Sequence, residues 1–306
     1  MSGLFCPVIV NWNLAADTIA CVRSLLAAGV SPSPIIVVDN GSNDNSPAQL
    51  DHELGESIEL IRSKQNLGFA GGNNLGIQHA LSQGAEWVLL LNNDTLVAPN
   101  FFEEMQRAIR EQPDYLIMAP LIFYHAEPQR IWSLGDRLLL GTLITRSLWR
   151  DQEVKPDLPP FVPVDFLNAC CLLVHHTVFA QIGLLDTTFF MYAEDVDFCW
   201  RARRAGFKLG CWTHAHIWHK VARSTGVHHP QRRYWRINNQ IRFYRRYAQG
   251  WQKRLLILFT FLRSGKLAII DLGHGRMQLA RTTMQAWYMG WYDLIPYSNQ
   301  ADSIAP

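Results

Sequence analysis

No C-x-x-C pair occurs among the six cysteines, at 6, 21, 170, 171, 199 and 211, and several of them sit in apolar runs. That usage suits a reducing compartment and argues against a disulfide framework. No stretch reaches the about 20 apolar residues of a membrane-crossing helix; runs such as Leu255–Leu262 stop well short of it. Met1–Val10 lacks the positive charge of a secretory leader, so the chain is expected to meet a membrane, if at all, from one side. The P-loop signature is missing, and the glycines at 68, 71, 72 and 76 do not fit G-x-G-x-x-G. Acid is missing too from one long segment: residues 198–270 hold 16 Lys/Arg and no Asp or Glu, whereas residues 1–197 hold 10 against 23. The two parts either face different partners or neutralise each other across an interface.

What is present is enough for a packed core. Of 306 residues 48% are hydrophobic and 18% charged, which fits one large domain or one domain with an appendage. Short apolar runs at Pro7–Asn11, Ile35–Val38 and Trp87–Leu91, with a further short strand candidate at Ile58–Ile61, alternate with helical spacing over Asp17–Ala28 and from the glycine-rich stretch through Ala80. Uninterrupted apolar strands between helices predict a parallel sheet covered on both faces. Pro156–Pro163 reads as a connector. Beyond it come an apolar run at Asp165–Val174, a helix near Thr177–Gln181, a polar-to-basic helix over Ala193–Ala205, and a helical region after Tyr234 that interleaves aromatics with arginines.

Polar residues gather just past the strand ends, at Asn11, Asp39 and Asn92–Asp94. In open α/β sheets that is where ligands bind. Asp94 can hold a hard divalent cation that a diphosphate also ligates, or close a turn or cap the next helix. Asp39 can bond a ribose or base, or simply start the Asn-Gly turn. Asn66–Asn74 (N-L-G-F-A-G-G-N-N) can offer backbone N–H groups to an anion. Glu194, Asp195 and Asp197 open a helix, where the macrodipole favours acids and Asp197 can pair with Arg201. The apolar Phe189–Tyr192 that leads into them suggests a carboxylate at the rim of an apolar pocket, the placement of a general base. His214 and His216 share a face if extended, without companions at zinc spacing.

In order, V-I-V-N-W-N, V-V-D-N-G-S-N-D-N-S, N-L-G-F-A-G-G-N-N, L-L-L-N-N-D-T and F-F-M-Y-A-E-D-V-D-F-C-W-R-A-R-R-A-G-F resemble the family 2 inverting glycosyltransferases of GT-A fold, nearest their rhamnosyltransferase-like branch. The resemblance spans roughly residues 8–225. It implies a Rossmann-like, mostly parallel sheet with helices on both faces and a catalytic domain over 1–230 (nucleotide-sugar half about 1–100, acceptor half about 160–230); the acid-poor, aromatic composition beyond it predicts a basic, membrane-associating helical region over 231–306. It implies Asp195, paired with Glu194, as the catalytic base. Asn11, Asp39, Asn66, Gly68, Gly71, Asn73 and Asn93 become the nucleotide-sugar site, and Asp94 with His219 of H-K-V-A-R-S-T-G the holders of Mg²⁺ or Mn²⁺. Two departures stand out: N-N-D replaces D-x-D, and Asn168 replaces a glycine before A-C-C-L-L-V.

The expectation is transfer of a sugar, rhamnose first, from a dTDP- or UDP-sugar to a saccharide or lipid-linked acceptor at the cytoplasmic face of an anionic membrane, in cell-surface polysaccharide synthesis, with no nucleic acid involved. A sugar nucleotidyltransferase is disfavoured because residues 8–18 contain no Lys or Arg. A non-catalytic sugar-nucleotide-binding partner has no need of the Glu194–Asp195 pair.

Overall fold

The computed structural model describes residues 5–29, 34–139, 142–221 and 229–292. Parts of two sequence motifs, Met1–Leu4 and Ala222–Gly226, and the residues from Asp293 onward lie outside them. Strands β1 (Phe5–Asn11), β2 (Ile35–Asp39), β3 (Ile58–Arg62) and β4 (Trp87–Asn92) form the parallel half of a ten-stranded sheet, in the order β4-β1-β2-β3. Helices α1 (Ala15–Ala27), α2 (Ser46–Leu54) and α3 (Gly68–Ser82) make the crossovers. Every residue of β2 is buried, which explains its unbroken I-I-V-V.

The other half of the sheet is mixed. After β5 (Thr95–Val97) and α4 (Phe101–Glu111) come β6 (Ile117–Tyr124), β7 (Ile131–Ser133), the small hairpin β8 (Asp136–Leu138) and β9 (Thr145–Ser147), then β10 (Phe161–Val164), β11 (Cys171–His175), α5 (His176–Ile182), α6 (Glu194–Arg204) and β12 (Leu209–His219). Strand β11 runs antiparallel to both β4 and β6, and β12 runs parallel to β6 and antiparallel to β5 and β10. The end of the proline-rich connector is therefore strand, not linker. Proline is tolerated there because β10 is an edge strand, and Pro163 points outward.

One core layer packs α3, α5 and α6 against one face of the sheet, and a second packs α1, α2 and α4 against the other. Three C-terminal helices follow: α7 (Pro230–Tyr247), α8 (Gly250–Gly273) and α9 (Met277–Tyr292). Ile241, Phe243, Tyr244, Leu256 and Trp291 from these helices close over Phe189 and Leu143 of the α/β body. Polar ties accompany that contact. Arg246 and the Tyr247 hydroxyl donate to Asp197 Oδ1, at 3.0 and 2.7 Å, while Arg201 Nε donates to Oδ2 at 2.7 Å. Asp197 is thus a fully buried structural acid that fastens α6 to α7.

Candidate functional site

The strand ends open into a cavity of about 420 Å³, walled on one side by the α/β body and on the other by α7 and α8. Asp94 occupies the turn between β4 and β5, and strand pairing carries His219 to it. In the β5–β12 ladder His219 stands opposite Thr95, and the Lys220 N–H donates to the Asp94 carbonyl at 2.9 Å. The result is His219 Nε2 at 3.1 Å from Asp94 Oδ1, both side chains largely buried yet lining the cavity. The Trp132 ring holds the imidazole edge-on at 4.5 Å between centroids. Lys220 Nζ binds Asp17 at 2.6 Å, tying the end of β12 to α1. Asp94 is no helix cap, since α4 begins with Asn100 at its N-cap.

Whether these groups suit a divalent cation follows from their chemistry. Among the described residues no three His, Cys, Asp or Glu side chains gather as a ligand cluster. One carboxylate and one imidazole nitrogen converge, and Asn92 Oδ1 is a buried acceptor without a partner on the same wall. Such a set fits Mg²⁺ or Mn²⁺ that takes its remaining ligands from diphosphate and water. His214 and His216 lie elsewhere: His214 is exposed, and His216 Nε2 is engaged with the Thr213 carbonyl at 2.9 Å.

The glycine-rich segment behaves differently from an anion loop. Its N–H groups are already used: Leu67 N donates to Asn40 Oδ1 (3.0 Å), Gly68 N to Asn66 Oδ1 (2.8 Å) and Phe69 N to the Phe190 carbonyl (2.7 Å). The glycines serve close approach instead. Gly68, at φ +74°, lies against Phe190, and Gly76 lies against Val8 of β1. Of the expected nucleotide-sugar residues, Asn66, Gly68, Asn73 and Asn93 line the cavity together with Asp94, His219, Glu194 and Asp195. Asn11, Asp39 and Gly71 do not. Asp39 is buried, accepting from Asn11 Nδ2 at 3.0 Å and from the Ser42 hydroxyl at 2.5 Å, so it shapes the loop after β2. Asn40 is the residue of that loop that lines the cavity, and no signal in the sequence separates it from its neighbour.

Glu194 and Asp195 begin α6 across the cavity. The two residues before them, Tyr192 and Ala193, adopt left-handed backbone at φ 69° and 74°, each costing about 1–2 kcal/mol for a non-glycine residue. Flanking bonds hold this turn: the Phe190 carbonyl is bound by α3, and the Met191 carbonyl accepts from Asn239 Nδ2 of α7 at 2.8 Å. Strain of this kind clusters at functional sites. Asp195 accepts N–H bonds from Val196 (2.8 Å) and, more weakly, Ala169 (3.3 Å). Burial raises its pKa above the ordinary carboxylate value, and those N–H groups act against the rise. Glu194 has only its own backbone N–H acting against the rise. Its Oε2 is buried without a partner, and burial, then the charge of Asp195, push it well above its usual value. Of the pair, Asp195 is the acid that ionises first, and Glu194 keeps its proton to higher pH. Asn168 Oδ1 accepts from the Cys170 N–H at 2.9 Å, so the departure from glycine caps the turn before β11 while its side chain also lines the cavity.

The split has a consequence for stability. A carboxyl whose folded pKa is raised leaves the native state unpenalised below the unfolded value of 4.5 and costs stability progressively as pH climbs toward the folded pKa. Glu194→Gln should therefore melt a few degrees higher than the parent at pH 7–8, with the gap closing as pH falls through about 4.5. A gap of equal size at pH 4 and pH 8, in thermal melts, contradicts the assignment of a buried, protonated Glu194.

The glycosyl transferase family 2 profile matches residues 7–182, more than half of the chain. The chain belongs to glycosyl transferase family 2. It is 30% identical over 208 residues to the low-salt glycan biosynthesis hexosyltransferase of Haloferax volcanii, a match covering 66% of this chain and 62% of that protein's length. It is 29% identical over 243 residues to the N-acetylglucosaminyl-diphospho-decaprenol L-rhamnosyltransferase of Mycobacterium tuberculosis, covering 74% and 79%. Among solved structures it superposes on GalNAc-T7 with UDP, GalNAc and Mn²⁺ at a TM-score of 0.63 and 14% identity, over 99% of this chain and 58% of that one. That likeness is one of fold, and it fixes the α/β body as GT-A. The family 2 glycosyltransferase thus has Asn40 after β2, Asn92–Asp94 after β4 and its α6 acids facing one cavity.

Proposed function

We propose that this family 2 glycosyltransferase is an inverting enzyme that moves a sugar, rhamnose first, from a dTDP- or UDP-sugar to a saccharide or lipid-linked acceptor of cell-surface polysaccharide synthesis. The observation that carries the reading is the pairing of Asp94 with His219 at 3.1 Å on one wall of the cavity that holds Glu194 and Asp195 on another. Asp94 and His219 would hold Mg²⁺ or Mn²⁺, which supplies positive charge to the departing diphosphate. Asp195 takes the proton of the acceptor hydroxyl as its oxygen attacks the anomeric carbon from the face opposite the diphosphate. The C1–O bond to the diphosphate breaks as the new glycosidic bond forms, and the configuration inverts. Glu194, protonated, adds no second negative charge beside the base.

Residues 231–306 are read as the membrane-associating part. Among the described residues no helix is long and apolar enough to cross a membrane. Helix α8 instead exposes Trp251, Leu255, Leu258, Leu262, Ile269 and Leu272, spaced to form one stripe, with Lys253, Arg254 and Lys266 also exposed on it. An apolar stripe with basic residues beside it suits the headgroup boundary of an anionic membrane, each basic residue adding about 1 kcal/mol. The rhamnosyltransferase relative's name, with its diphospho-decaprenol acceptor, supports an acceptor presented at such a surface.

The deciding experiment is a thermal-shift and donor-hydrolysis panel of dTDP- and UDP-sugars with and without Mg²⁺ or Mn²⁺. Metal-dependent stabilisation by one donor, with slow hydrolysis, is the expected result. A folded protein that answers to no donor sinks the enzymatic reading and favours a non-catalytic partner.

A further inference from the structure

The cavity's far wall is cationic. Arg232 and Arg236 project from successive turns of α7, Arg263 comes from α8, and all three line the cavity. Most arginines of these helices do structural work. Arg233 binds Asp271 (2.9 Å), Arg246 binds Asp186 and Asp197, and Arg245 and Arg242 donate to backbone carbonyls. The cavity set is different. Arg263 Nη1 donates to Gln240 Oε1 at 3.1 Å, a neutral partner, and Arg232 Nε donates to the Tyr192 hydroxyl at 2.9 Å. For Arg236 no ion pair or hydrogen bond is formed among the described residues. Arg236 is exposed and lines the cavity, and packing around its guanidinium, then the charges of Arg263, Arg232 and Arg150, depress its pKa below the ordinary guanidinium value. Guanidinium groups held close to one another are self-repulsive, and Arg236 feels that repulsion from Arg263, Arg232 and Arg150. They are stabilised when an anion arrives, and guanidinium forks match phosphate oxygens.

The geometry points to Arg232, Arg236 and Arg263 as a binding site for the diphosphate of a lipid-linked acceptor, a reading that rests on the glycosyltransferase function proposed above. Three placements favour this source of diphosphate over the donor. Arg232 is bonded to Tyr192, whose chain runs directly into Glu194 and Asp195, so the cluster adjoins the base that must meet the acceptor. The donor's diphosphate already has Asp94 and His219 at the strand ends. Helix α8 carries Arg263 on the cavity and, at the next residue back, Leu262 in its exposed apolar stripe, so one helix can meet both the head and the chain of a lipid diphosphate. Arg150, which Arg236 senses, stacks on Trp132, the ring against His219, so the cluster extends toward the donor side and the test must separate the two sources.

The test uses the full chain with two probes: farnesyl diphosphate in EDTA, which reports a lipid diphosphate without help from metal, and UDP or dTDP with Mg²⁺, which reports the donor site. Arg236→Gln and Arg263→Gln should each weaken farnesyl diphosphate binding about tenfold or more, the worth of a charged hydrogen bond. Nucleotide binding should be unchanged, and Arg110→Gln, exposed on α4 and outside the cavity, should match the parent. Arg236→Lys should retain part of the affinity. Undiminished farnesyl diphosphate binding in both Gln variants overturns the site, and so does a loss confined to nucleotide. Nucleotide binding by the parent protein is read separately: its absence discredits the donor assignment, whatever the arginine variants do.

Discussion

Asp195→Asn lowers kcat by about 10²- to 10⁴-fold, the usual contribution of a positioned general base, and leaves donor binding in place. The amide is nearly isosteric and its oxygen can still accept the Val196 N–H, so α6 keeps its start and the cavity its shape. What is lost is the lone pair that receives the acceptor's proton. An interaction made only as the hydroxyl ionises shows in kcat rather than in the donor's KM. The parent's acid limb follows from the same residue. Because burial raises the Asp195 pKa, activity should fall with decreasing pH at a higher pH than an ordinary aspartate, near 3.8, would give. Glu194→Gln distinguishes the pair: if Glu194 were the base, that variant would show the large kcat defect and Asp195→Asn would not. Equal loss of turnover and donor binding in a folded Asp195→Asn protein removes Asp195 from the chemistry altogether.

Local features of this site were legible in the sequence, and its long-range joins were not. Strands β1, β2 and β4 announce themselves because each is buried on both faces and so reads as an almost unbroken apolar run, whereas β3, half-buried at the sheet edge, carries Glu59 and Arg62. Glu194 and Asp195 could be singled out because the aromatic run before them conflicts with a merely solvated helix start. The neighbour of Asp94, however, lies 125 positions on, brought there by the antiparallel β5–β12 ladder. Strand β5 is three residues long and carries no pattern of its own. The resemblance supplied His219; periodicity could not. The glycines show the opposite failure. Their clustering suggested an anion loop, yet the N–H groups are bonded internally and the missing side chains let α3 settle on β1.

The charge asymmetry shows how one composition can serve two ends. Neutralisation across an interface accounts for Lys220 with Asp17, Lys208 with Asp114, Arg203 with Asp165 and Arg246 with Asp186. Others stand away from acid among the described residues: Arg236 in the cavity, and Lys253, Arg254 and Lys266 on the exposed surface of α8. A sequence count sees only the sum. Which basic residues are left without a carboxylate depends on the packing of α7 against α6, and that is decided by the buried Asp197.

Asp94→Asn should abolish metal-dependent stabilisation by the donor and cost two or more decades in kcat/KM, since charge stabilisation by a bound cation is worth several kcal/mol and each decade about 1.4 kcal/mol. The size of the effect follows from how little else the protein offers. Asn92 and Asn93 bring no charge, so Asp94 is the only anionic residue of the N-N-D turn, and His219 is neutral when it ligates. One negative charge holds a divalent cation weakly unless the donor's diphosphate shares it. The parent should accordingly show little shift with Mn²⁺ alone, a large one with Mn²⁺ and the nucleotide sugar together, and loss of turnover in EDTA. Asp94→Asn keeps the turn, because the Lys220 N–H bonds its backbone carbonyl and not its side chain. A variant that folds, still binds donor in EDTA as the parent does, and no longer responds to Mn²⁺ is the expected outcome. Undiminished turnover of the parent in EDTA would instead mean that the leaving diphosphate is stabilised by cationic side chains. It would take the metal away from Asp94 and leave the assignment of Asp195 untouched.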